Sequence, residues 1–156
     1  MLKKLYLAII ILLITVTAHA EKNAWFAKSS KLLFSKELNT CHDHKVAGNL
    51  PLFNDCVTSK LNAYDVIKQK MDDPAVSPFF GDSVCVDKIR ASFELGARCM
   101  AAALDICKQG SGMSVTNPLG CLRTFSGSTW QAHPSAMKLD FTQPARSEKE
   151  INHYVQ

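Results

Sequence analysis

Beyond residue 16 the sequence has no long apolar run, and nowhere does it carry a common catalytic signature. A membrane-spanning helix needs roughly 20 apolar residues, so no stable membrane insertion is expected of the chain after its first segment. There is no Gly-x-Ser-x-Gly elbow, no His-Glu-x-x-His and no phosphate-cradling glycine loop after a strand. The familiar hydrolase, zinc-protease and nucleotide chemistries therefore lack their residues. No Cys-x-x-Cys occurs either, which leaves zinc knuckles, dithiol redox catalysis and c-type haem without their ligand spacing. Alternation of apolar and polar residues, the mark of a half-buried strand, is missing throughout. A dominant charge is absent too: 18 basic residues face 14 acidic ones, which gives no electrostatic case for nucleic acid or an anionic membrane.

What is present begins at residue 1. Met1-Leu2-Lys3-Lys4 is a short cationic start, Leu5 to Val16 is apolar, and Ala18-His19-Ala20 is a small-x-small cleavage site. Charge, apolar run and small residues in that order are what an export signal requires. Residues 1–20 are thus expected to be a cleavable signal peptide, with the mature chain starting at Glu21. Position 21 is not cysteine, so no lipoprotein anchor is indicated. Removing Lys3 and Lys4 leaves 16 basic against 14 acidic residues. The 136 residues that remain suit one domain.

All six cysteines, Cys41, Cys56, Cys85, Cys99, Cys107 and Cys121, fall in that mature part. An even number in an exported chain argues for three disulfides, because oxidising compartments let them persist. The compartment implied is periplasmic or secreted.

Helical periodicity supplies the scaffold. A first helix is expected over about residues 23–38, from Trp25, Phe26, Leu32, Leu33, Phe34 and Leu38. Asn49 caps a second, with Pro51 in its first turn, where a missing N–H costs nothing. Phe53, Cys56, Val57, Leu61, Tyr64, Ile67 and Met71 form its apolar face, and Asp72-Asp73-Pro74 stops it. A third helix, capped by Asp82 or Ser83, carries a stripe from Cys85 through Ile89, Phe93, Gly96 and Met100 to Cys107. Gly96 weakens a helix interior by about 1 kcal/mol relative to alanine, and close approach of a neighbouring helix would explain it. Asn117-Pro118 opens a short fourth helix ending near Gly127. The expected fold is all-α: a small disulfide-stapled bundle of three main helices plus a short fourth over residues 21–127. An irregular or partly disordered tail follows at 128–156, which either wraps the bundle through its scattered apolar residues or stays loose.

A continuous third helix restricts the bridges. At about 1.5 Å rise per residue, Cys85 and Cys99 stand roughly 21 Å apart along the axis, whereas a disulfide needs Cα atoms within about 7 Å. Each of Cys85, Cys99 and Cys107 must then reach a cysteine outside the helix. Hairpin topology points to Cys56–Cys99, Cys41–Cys107 and Cys85–Cys121.

Two groups of residues could carry a function. Cys41-His42-Asp43-His44 is the one dense ligand cluster, in which His42 and His44 could hold zinc or copper, although a bridged Cys41 makes a solvated loop the simpler account. No cofactor is otherwise indicated. Phe79, Phe80 and Trp130 lie outside the well-marked helices and are either satellite core or, if exposed, a partner-binding surface. Over residues 21–125 the layout of signal peptide and cysteine-bearing helices resembles the small exported immunity proteins of bacterial toxin systems. That resemblance is one of layout without a shared motif. The six cysteines lack the close spacing of insect odorant-binding proteins. The expected role is a non-enzymatic, inhibitor or immunity-type binding module whose partner is another exported protein. A small-ligand or metal carrier is the alternative, and a hydrolase comes third.

Overall fold

A computed structural model describes residues 26, 29–74, 76–80, 84–109, 120–122, 125 and 129–155. The expected export segment, residues 21–25, the glycine- and serine-rich loop after residue 109 and most of the expected fourth helix lie outside the described residues. The described chain is an all-α, disulfide-stapled bundle with no strand among its residues.

Residues 29–39 form α1. A short helix α2, His42–Val46, replaces the loop expected there. It ends because Gly48 adopts a left-handed backbone (φ 72°) that its missing Cβ permits. Gly48 N–H then donates to the Lys45 carbonyl (3.1 Å) and Asn49 N–H to that of His44 (2.9 Å), which satisfies the helix's last acceptors in a Schellman closure. The long helix α3, Leu50–Asp72, starts as its sequence predicts. Asn49 Oδ1 accepts from Leu52 N–H and Pro51 lies in the first turn. It stops before Asp73-Pro74 as well. Its buried face holds Phe53, Val57, Leu61, Ala63, Ile67 and Met71. The turn after it contains α4, Ser77–Phe80.

The third helix is not continuous. It divides into α5, Val84–Ala91, and α6, Phe93–Gln109, and the chain folds back on itself at Ser92. Gly96 faces Ile89 across the fold, so the close helix approach expected of this glycine comes from the preceding half of the same predicted helix. The fold brings Cys85 beside Cys99, and the expected bridges are all replaced. The disulfides are Cys41–Cys56, Cys85–Cys99 and Cys107–Cys121, with Cα separations of 5.7, 5.4 and 5.6 Å. Each joins cysteines that are neighbours along the sequence. None ties distant helices, because the axial distance that excluded Cys85–Cys99 vanishes once the helix breaks.

The main core lies between α3, α5 and α6. Aromatic rings tie α1 to it: Phe34 meets Tyr64 edge-on at 5.2 Å, and Tyr64 meets Phe93 at 5.4 Å. Phe80 and Trp130 are fully inside this core. Their burial makes them main-core residues rather than satellite core or an exposed partner-binding surface; the Phe79 side chain is outside the described residues. After a 3-10 turn at Thr129–Ala132 come α7, Pro134–Met137, and α8, Glu148–Val155. Trp130, Ala136 and Phe141 bury into the main core, and Ile151 into a second, smaller one. This C-terminal segment therefore lies against the bundle. No helix among the described residues is long and apolar enough to cross a membrane.

Candidate functional site

The second core determines where a site can form. Leu38 of α1, Cys41, and Phe53, Val57 and Leu61 of α3 cluster around Ile151 of α8. The Cys41–Cys56 bridge clamps the start of α2 onto α3, because Cys56 is one turn into the apolar face of that helix. Beside this cluster α1, α2, α3 and α8 leave a cleft of about 470 Å³. Its apolar lining is Phe34, Leu38, Phe53, Tyr154 and Val155, and its charged or ionisable lining is Lys31, His42 and Lys45. No carboxylate belongs to the lining among the described residues. Lys45 lies over the Phe53 ring at 5.5 Å from the centroid, so the cation and the apolar floor are contiguous. A larger hollow of about 850 Å³ lies over Arg146 to Tyr154, but one short helix and its approach form it, with charges of both signs.

His42 and His44 part company here. On a helix, residues two apart point to different sides, and α2 is helical over both. His42 lines the cleft, whereas His44 does not. Cys41 is bridged and wholly buried. Among the described residues no group of three histidine, cysteine or carboxylate side chains is placed to hold a metal ion. His133 and His153 lie elsewhere: His133 accepts from Ser135 N–H at the start of α7, and His153 lies against Tyr154 on α8.

Behind the α1 wall lies a charge cluster with no local sequence signal. Glu37 is 4% exposed, a burial that carboxylates tolerate only when paired. Lys60 Nζ lies 3.2 Å from Glu37 Oε2 and 2.9 Å from Glu94 Oε2. Phe93 N–H, freed by the break before α6, donates to Glu37 (3.3 Å). Ser59 and Ser92 hydroxyls donate to Glu94 (3.2 and 2.6 Å). Burial alone would lower the Lys60 pKa, but hydrogen bonds and charge from Glu94 and Glu37 outweigh it and raise it. Burial likewise pushes Glu94 up, but the bonds from Ser92 and Lys60 hold it below the usual carboxylate range. Buried, perturbed carboxylates often mark active sites. Here the donors are already engaged and none of these side chains lines the cleft, so the cluster fixes α1 against α3 and the α5–α6 break.

One further constellation brings together a serine, a histidine and a carboxylate. Ser135 Oγ donates to Asp105, while His133 accepts from the Ser135 backbone N–H through Nδ1. The histidine is bonded to the main chain and not to the hydroxyl, so it does not serve as that serine's base in the manner of a catalytic triad. These bonds cap α7 and dock it on α6.

No protein-family model matches the chain, and no curated protein or solved structure matches it either. The three disulfides are features of chains that fold in an oxidising, extracellular-type compartment.

Proposed function

We propose that this chain is an exported, non-enzymatic binding module, periplasmic or secreted, that acts by engaging another exported protein as an inhibitor or immunity-type factor. One observation carries the reading: a cleft whose floor is apolar and whose charged lining, among the described residues, is cationic. Complementary charge steers encounter and selects partners, while apolar contact supplies most of the affinity. The segment it suits presents a carboxylate beside a large apolar side chain. Cross-linking in the exported fraction, with wild type beside Lys31→Glu/Lys45→Glu, tests it. A discrete partner captured by wild type and lost in the double variant supports the reading; capture that ignores the charge reversal refutes it.

The size of the cleft favours a second reading, a carrier for a small amphiphilic anion, since ligand pockets typically span about 300–1,000 Å³. Anilinonaphthalene sulfonate, an aromatic body with one anionic group, is the probe. Saturable binding that the same charge reversal removes supports a carrier. The metal version is not carried forward, because His42 and His44 diverge.

A further inference from the structure

Helix α8 meets the bundle as a bound helix meets a receptor groove. Its apolar side chains Ile151, Tyr154 and Val155 stand at i, i+3 and i+4, the spacing by which an amphipathic helix presents one face to a groove. Ile151 is 2% exposed and is the one buried residue of the helix. Val155 packs against the same small cluster, and Tyr154 leans on Phe34 with ring centroids 5.2 Å apart.

The chain just before α8 is held by separate means. Asn62 Nδ2 donates to the carbonyls of Phe141 and Pro144, both at 2.9 Å. Arg146 Nε donates to Asn62 Oδ1 at 2.7 Å, and its guanidinium pairs with Asp65. Beyond Arg146 the strap reaches α8 through one ion pair, Arg146 to Glu150 at 3.5 Å. Next comes a capping box, in which Ser147 Oγ accepts from Glu150 N–H (3.3 Å) and Glu150 Oε2 accepts from Ser147 N–H (3.0 Å). A rotation about Ser147 that broke the Arg146–Glu150 pair would free α8 while the preceding strap stayed on α3. The cleft is the unfilled continuation of the groove α8 occupies: Phe34, Leu38 and Phe53 border both.

Building on the proposed reading of the cleft, we infer that the groove between α1, α2 and α3 is a helix-receiving surface. Helix α8 is its tethered occupant, and the partner enters as an amphipathic helix that displaces α8. Lys31 and Lys45 in the cleft set the partner's charge: acidic residues lie beside its apolar face.

The test uses the full-length chain and a labelled peptide with the sequence of residues 147–155, read by fluorescence polarisation. Where a resident helix blocks a groove, apparent affinity falls with the fraction of open chains. The peptide is expected to bind Ile151→Asp, whose α8 is expelled, about tenfold or more tightly than wild type. A control peptide carrying aspartate in place of Ile151 does not bind. Ser147→Ala with Glu150→Ala loosens α8 without touching the core and gives an intermediate gain, which keeps the test available if Ile151→Asp does not fold. Loss of amide-exchange protection in α8 alone, with no peptide bound, overturns the inference and leaves the cleft reading standing. A second peptide, extended beyond Val155 by three glutamates, binds more tightly still, and Lys31→Glu/Lys45→Glu removes that gain. An extension without effect refutes the cationic cleft while the groove stands.

Discussion

A Cβ placed on Gly96 would come within 2.8 Å of the Ile89 Cα and 3.0 Å of its backbone nitrogen. Those atoms belong to the facing helix α5, so they cannot move aside as a flexible side chain can. The Cys85–Cys99 bridge further locks the two helices together. Alanine has the higher helix propensity by about 1 kcal/mol, but overpacking against backbone costs about 1–3 kcal/mol. The clash wins. Gly96→Ala is expected to lower the urea midpoint, with a net loss of up to about 2 kcal/mol; a gain in stability would show that α5 and α6 do not approach so closely.

Lys60 neutralises two carboxylates at once, and its removal leaves both without a counter-ion. Breaking a buried pair by deleting one partner costs about 3–5 kcal/mol, so Lys60→Met is expected to be among the most destabilising single changes in α3 at neutral pH. The penalty should shrink in acid, where Glu94 takes up a proton. Equilibrium denaturation of wild type and variant at pH 7 and pH 4 measures this, and an equal penalty at both values would contradict it.

The same cluster sets an acid limb. Glu94 is held below its ordinary value of 4.5 in the folded chain. Its contribution is therefore complete above that value and is lost as pH falls through the lower folded pKa. Lys60 is raised above 10.5, so its contribution is complete below 10.5 and is lost as pH rises through the higher folded value. Glu94→Gln should flatten the fall in stability below pH 4.5 relative to wild type. Unchanged steepness would show that other groups govern the acid limb.

Asn62 fastens the C-terminal strap through three hydrogen bonds. Asn62→Ala leaves the carbonyls of Phe141 and Pro144 without this donor, and an unmet buried group costs about 1–3 kcal/mol. Hydrogen exchange should show the strap and α8 losing protection, with α3 and α6 retaining theirs. A uniform loss would mean that the strap does not open separately.

The sequence reveals helix α3 at both ends, because Asn49, Pro51 and Asp73-Pro74 act locally. It conceals the break at Ser92, because Ile89 and Phe93 keep the apolar stripe in phase: both halves face one core. A signal was present, since Ser92 is a favoured residue before a helix and Glu94 suits its positive end. The cysteine steps carried another, since the paired residues are 15, 14 and 14 apart. Helix α8 also announces itself through Ser147-x-x-Glu150 followed by Ile151, a capping-box signature passed over in a polar, proline-interrupted tail. The Glu37–Lys60–Glu94 cluster has no such trace, because it exists only once α1, α3 and α6 are packed. The cleft shares that origin; of its lining, the sequence singled out only His42.

The α2 side of the cleft depends on which cysteines are joined, since Cys41–Cys56 clamps the start of α2 onto α3. Mass spectrometry of a non-reduced digest of the native protein addresses this directly. Fragments joining Cys41 to Cys56, Cys85 to Cys99 and Cys107 to Cys121 are the predicted result. A fragment joining Cys56 to Cys99, or six free thiols per chain, would contradict the fold and the site together.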